Sequence, residues 1–91
     1  MYYVYILLQN DKHLYAGSTK DLKQRFLQHQ QGINPSTKYK RPLKLIHYEG
    51  YSLKSDAQRR EKFLKTTEGK KLLRQQIRDI LIQEKVFEAK T

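Results

Sequence analysis

Seven apolar or aromatic residues in a row, Tyr2-Tyr3-Val4-Tyr5-Ile6-Leu7-Leu8, follow the first methionine. Their β-branched and aromatic character, with almost no polar alternation, predicts a strand covered on both faces. Gln9-Asn10-Asp11-Lys12 has turn chemistry and His13 to Ser18 reads as a second strand, so the two form a β-hairpin. Ser18, Thr19 and Asp21 are helix-start residues, which predicts a first helix from about Lys20 to Gln31, stopped by Gly32. Ile33 to Pro42 shows no period and holds both prolines, as a surface loop does. Leu43 to Glu49 alternates as a third strand ended by Gly50. A second helix is expected to begin near Ser52 or Ser55 and run to about Lys65, with Thr66-Thr67-Glu68-Gly69 interrupting. Leu73, Ile77, Ile80 and Leu81 then share one face of a third helix. The order ββαβαα predicts an α+β fold, a small antiparallel or mixed sheet flanked by helices. One domain is expected over residues 1–83, with 84–91 a fraying tail.

Composition changes this picture in three ways. The 91 residues include no cysteine, which excludes a disulfide scaffold, a thiolate zinc site, an iron–sulfur cluster and a cysteine nucleophile. Seven Tyr and three Phe argue against disorder. The seven-residue apolar run is too short to span a bilayer and lacks the flanks of a signal peptide, so a soluble cytoplasmic domain is expected. Nineteen Lys and Arg against nine Asp and Glu give a formal charge of +10. A small domain repels itself at that charge, and a polyanion partner is the commonest reason for it. Nucleic acid fits better than a membrane surface, because no helix pairs a wide apolar face with a basic one.

Several residues stand where packing alone would not put them. On the second helix Glu61 lies between Ala57 and Leu64 on the stripe that should dock on the sheet. A carboxylate there must reach the rim, pair with a cation or bind a metal. On the first helix Arg25 and His29 are an i,i+4 pair beside the apolar stripe of Leu22 and Phe26. They either clamp a phosphate or sit as a core-lying arginine stem and a partly buried histidine. Tyr5 and Tyr15 share a sheet face only if paired residue numbers sum to an even number: 20 puts them opposite, 22 makes them diagonal neighbours. Gly17 lets a phosphate approach the backbone or simply serves a turn. Lys38, Tyr39, Lys40, Arg41 and Lys44 interleave charge with an aromatic ring, as in phosphate contact with base stacking or in a plain solvated loop.

The order Tyr3-Val4-Tyr5, Tyr15-Ala16-Gly17, Arg25, His29 and Glu61 resembles the GIY-YIG nuclease family, in particular its short stand-alone bacterial members. The resemblance runs from Tyr2 to about Leu73 and includes Lys38-Tyr39 and Arg59-Arg60-Glu61, although Tyr3, Val4 and Ala16 replace the usual glycine and isoleucines of the two tripeptides. It implies a three-stranded antiparallel sheet flanked by helices and phosphodiester hydrolysis with one divalent cation, Mg²⁺ or Mn²⁺. Glu61 would match the metal ligand, Arg25 the arginine on the scissile phosphate, and Tyr5 and Tyr15 the pair near the attacking water. His29 falls at a position that varies in the family. Gly17, Lys38, Tyr39, Lys40 and Arg41 are the candidate nucleic-acid contacts. The implied partner is nucleic acid, DNA ahead of RNA, with a further protein partner for targeting and a monomer or weak dimer as the assembly. A nucleic-acid-binding module without catalysis is the alternative on the same fold, and a protein-interaction domain a third reading. A free tyrosine is a poor base, since only about one part in a thousand is ionised at neutral pH.

Overall fold

The computed structural model describes residues 1–86. Strand β1 (Tyr2–Leu8) is central, between β2 (Leu14–Thr19) and β3 (Lys44–Tyr51), and both pairings are antiparallel. Helix α1 (Leu22–Gln30) lies on one face of this sheet. Helices α2 (Lys54–Leu64), α3 (Thr67–Gln76) and α4 (Arg78–Gln83) cover the other. The α+β order ββαβαα therefore holds, with the third helix divided at Ile77. No helix among the described residues is long and apolar enough to cross a membrane.

The unbroken apolarity of β1 has the expected cause. Val4, Ile6 and Leu8 pack against Ala57, Leu64, Leu73, Ile77, Leu81 and Val86, while Tyr5 and Leu7 pack against the α1 side with Leu43. In β3 an extra residue, seen where Ile6 pairs with His47 but Leu7 with Leu45, resets the alternation. That bulge sends Leu45 to the α1 side and leaves Ile46 with the larger core.

Element ends differ from the sequence reading in instructive ways. Asp21 caps α1 by accepting the Gln24 N–H at 3.0 Å, and Gly32 beyond its end has φ +77°. Gly50 does not end β3, which continues to Tyr51. Neither Ser52 nor Ser55 caps α2; the helix follows Leu53 with no side-chain cap. Its docking comes instead from Arg60, whose guanidinium forks onto Glu49 of β3 at 2.9 and 3.2 Å. Glu49 also accepts from Tyr51 at 2.8 Å and lies 3.0 Å from His47. Thr66 caps α3 through the Gly69 N–H at 3.0 Å, so Glu68 and Gly69 belong to that helix rather than to the break. At Gly69 a Cβ would stand 2.6 Å from the Phe63 carbonyl carbon, and only glycine lets α3 fold so tightly onto the end of α2. At the start of the expected tail Glu84 pairs with Lys44, and Val86 is buried in the core. The rest of that expected tail, 87–91, lies outside the described residues.

Candidate active site

Paired residue numbers in β1 and β2 sum to 22, Tyr5 opposite Gly17 and Leu7 opposite Tyr15. Tyr5 and Tyr15 are therefore diagonal neighbours on the α1 face, their ring centroids 6.4 Å apart. The Tyr5 ring lies directly over Gly17, where a Cβ would come within 2.6 Å of its Cζ. Gly17 is thus neither a turn residue nor an open approach for phosphate. It is a buried strand glycine that makes room for a phenol, which corrects its reading as a nucleic-acid contact.

Tyr5 is fully buried, and its hydroxyl stands 2.8 Å from His29 Nε2. His29 Nδ1 in turn lies 2.7 Å from the hydroxyl of Thr37, and both residues have no exposed surface. His29 is one helical turn beyond Arg25 on α1, and Tyr15 stacks edgewise on its ring at 5.4 Å. With both nitrogens engaged, His29 does not clamp a phosphate. Burial and the nearby Arg25 charge hold its imidazole below the ordinary value. Burial pushes the Tyr5 phenol up to about 12, against the hydrogen bond and charge of Arg25 beside it.

Ser18 joins the two sides of the sheet. Its backbone carbonyl accepts from Arg25 Nη1 at 3.4 Å on the α1 side, and its hydroxyl donates to Glu61 Oε1. Strand alternation points the Ser18 side chain to the α2 face, so Glu61 reaches Ser18 from the side opposite the rings. The residues wrap around the free edge of β2 rather than opening onto one face. Lys65 closes the arrangement: its Nζ lies 2.9 Å from Glu61 Oε2 and 5.9 Å from the centre of the Tyr15 ring. The Glu61 side chain is 24% exposed, so it is neither sealed under apolar residues nor paired with an arginine. Burial alone would raise its carboxyl, but hydrogen bonds from Ser18 and Lys65 and the charges of Lys65 and Arg25 prevail and hold it below the usual range.

An ionised, partly exposed carboxylate with one oxygen held by the exposed Lys65 side chain is a suitable donor for a hard divalent ion. Among the described residues no three His, Cys, Asp or Glu side chains gather as a metal cage. A single carboxylate completed by waters and substrate oxygens fits Mg²⁺ or Mn²⁺ better than a dedicated protein cage would.

The basic loop divides. Lys40 pairs with Asp11 at 2.9 Å, and this bond, with the His13 N–H, pulls the Asp11 carboxyl down to about 2. Arg41 folds back onto the carbonyls of Lys38 and Gln30, at 3.0 and 3.3 Å. Lys38 and Tyr39 face solvent, Tyr39 being 82% exposed. Three residues of the site escaped the sequence reading. Lys65 had a signal, the i,i+4 spacing from Glu61. Ser18 had a weaker one, a polar residue following Leu14 and Ala16 on the covered face of β2. Thr37, in an aperiodic loop, had none.

Comparison with known proteins identifies the family. The family model of the GIY-YIG catalytic domain matches residues 1–74. A UPF0213 protein of Staphylococcus epidermidis is 41% identical over 66 residues, 71% of this chain and 80% of the relative. A UPF0213 protein of Staphylococcus saprophyticus is 36% identical over 74 residues, 80% of this chain and 90% of its own length. One of Bacillus velezensis is 39% identical over 72 residues, covering 77% and 73%. No solved structure gives a significant match. The degenerate tripeptides notwithstanding, the chain belongs to the GIY-YIG nuclease family.

Proposed function

We propose that this protein is an endonuclease that hydrolyses phosphodiester bonds in DNA with one divalent cation, Mg²⁺ or Mn²⁺, held through Glu61. The observation that carries this reading is the meeting at Ser18 of a guanidinium and an ionised carboxylate, next to a phenol backed by a buried imidazole. A bound cation supplies Lewis-acid stabilisation for the charge that builds on the phosphate. Arg25 supplies the second positive group, its planar fork suited to two phosphate oxygens.

Tyr5 is not a preformed base. At a value near 12, about one part in 100,000 is ionised at neutral pH. His29 removes this difficulty: once substrate binding opens a water path to the buried Tyr5 hydroxyl, the neutral imidazole accepts the Tyr5 proton at Nε2 as the phenol oxygen takes one from the attacking water. With the Thr37 hydroxyl accepting the Nδ1–H, a role open to any hydroxyl, Nε2 is free to accept from Tyr5. Tyr15, flanking both rings, orients the water. Lys65 neutralises Glu61 while the site is empty of substrate, and its exposed stem lets it withdraw. The groove between β2 and α3, about 840 Å³ and lined by Tyr15, Lys65, Lys70 and Lys71, gives the DNA backbone a basic path to the site.

The test is cleavage of branched, flapped and single-stranded DNA with Mg²⁺ or Mn²⁺ by wild type, Glu61→Gln and Arg25→Ala. Each substitution is expected to lower the rate by about 10²–10³-fold. Unchanged activity in both variants would overturn the reading. Salt-sensitive binding with no cleavage by wild type would favour the non-catalytic module instead.

A further inference from the structure

Position 3, where the family's first tripeptide has glycine, carries a tyrosine here, and its ring does not enter the core. Tyr3 stands on the α1 face of β1 and meets Tyr48 of β3 edge to face, centroids 6.1 Å apart and planes at 68°. Tyr48 is 57% exposed, an unusual state for a large ring on a sheet face that is otherwise covered. The two rings border a groove of about 1050 Å³ with Phe26 and the start of α1, whose rim carries Lys20, Lys23 and Arg25. The one carboxylate there among the described residues, Asp21, is held as the helix cap by the Gln24 N–H. Arg25 is common to this groove and to the site around Tyr5, so the two are continuous.

Flat rings among cations, with the acid engaged, match a nucleotide strand: bases for the rings and phosphates for the lysines. A paired base has both faces occupied by its neighbours in the stack, whereas an unpaired base can lay one on Tyr48. We infer that the Tyr3–Tyr48 groove is a subsite for an unpaired nucleobase beside the scissile phosphate, with Lys20 and Lys23 on the flanking phosphates. This rests on the nuclease reading, and it narrows the substrate to single-stranded or flapped stretches. Tyr3 supports the Tyr48 ring from its edge and fixes the angle of the platform.

The test is binding without divalent ion, so that it does not depend on cleavage. Fluorescence anisotropy compares a 12-mer of oligo(dT) with an abasic backbone of the same length and charge. Wild type is expected to bind oligo(dT) about tenfold more tightly, in the lower part of the range for one stacked base. Tyr48→Ala is expected to remove that preference without unfolding the protein, since the ring is mostly exposed. Tyr48→Phe is expected to keep it, as stacking needs no hydroxyl, and Lys23→Ala to weaken both ligands by the same factor. Equal binding of the two ligands by wild type, or a preference that survives Tyr48→Ala, would overturn the subsite. If wild type cuts DNA while Tyr48→Ala keeps its base preference, this inference fails and the nuclease reading stands. If nothing is cut but the preference follows Tyr48, the nuclease reading fails and takes the scissile phosphate with it, while the base-stacking site stands.

Discussion

Gly17→Ala is the sharpest perturbation the fold offers, because it adds one methyl group at a position set by Tyr5. The new Cβ would stand 2.6 Å from the Tyr5 Cζ, well inside van der Waals contact, and the fully buried ring has no open side to move into. Overpacking of this kind costs about 1–3 kcal/mol. If the ring tilts away, His29 Nε2 loses the Tyr5 hydroxyl as its partner in a buried setting, which adds about 1–3 kcal/mol. Replacing a strand glycine by alanine returns about 0.5–1 kcal/mol through the unfolded chain. The net expected loss is about 1–5 kcal/mol, a large part of the stability of a domain this size. In a Tyr5→Leu background the clashing atoms are gone, so the same substitution is expected to change sign and stabilise by about 0.5 kcal/mol. Urea unfolding of wild type, both single variants and the double variant, followed by far-UV circular dichroism at pH 7.5, completes the cycle. Additivity within about 0.5 kcal/mol would refute the claim that the glycine exists for the tyrosine.

Other consequences are simpler to read. Thr37→Val keeps the shape but leaves His29 Nδ1 buried without its partner, and is expected to cost about 1–3 kcal/mol in urea unfolding and to slow cleavage with little change in KM. An unchanged rate would remove Thr37 from the proton relay. The His29 imidazole is held below its ordinary value, so the unfolded chain binds the proton more readily; its contribution to stability is whole above about pH 6.5 and declines as the pH falls below that. Unfolding measured between pH 8 and pH 5 is expected to show this loss, and His29→Gln is expected to flatten it. Lys65→Ala removes the cation that competes for Glu61, and calorimetric titration is expected to show Mn²⁺ binding about two- to threefold more tightly, the scale of a surface i,i+4 pair. Weaker binding would instead make Lys65 part of the cation's support.

Most of the fold was legible because its hydrophobic pattern is local. The unbroken run in β1 foretold a doubly covered strand, and the resemblance supplied the antiparallel order. The misjudged ends have specific causes. Ser52 and Ser55 looked like caps, but Arg60 bonding to Glu49 fixes where α2 sits, and that pairing joins residues 11 apart. Gly69 read as a break because the close approach of the Phe63 carbonyl is a tertiary fact. In the site, the even register of Tyr5 and Tyr15 was one of two possibilities that the sequence left open, decided by the five residues between β1 and β2. Glu61 was marked by its apolar neighbours on α2, yet its meeting with Arg25 depends on Ser18 at the sheet edge, which periodicity does not reveal. Thr37 was invisible for the same reason: it acts through a histidine eight residues away, from a loop with no period.

The central claim is that Glu61 and the tyrosines belong to one site although they approach β2 from opposite faces. Paramagnetic broadening of the amide signals by substoichiometric Mn²⁺ tests this without any need for turnover. The signals of Ser18, Glu61 and Lys65 are expected to fade first, those of Tyr5, Tyr15 and Arg25 next, and all of them to survive in Glu61→Gln. Broadening centred on Glu49 or Asp11, or confined to α2 while the signals of Tyr5 and Tyr15 stay sharp, would contradict it.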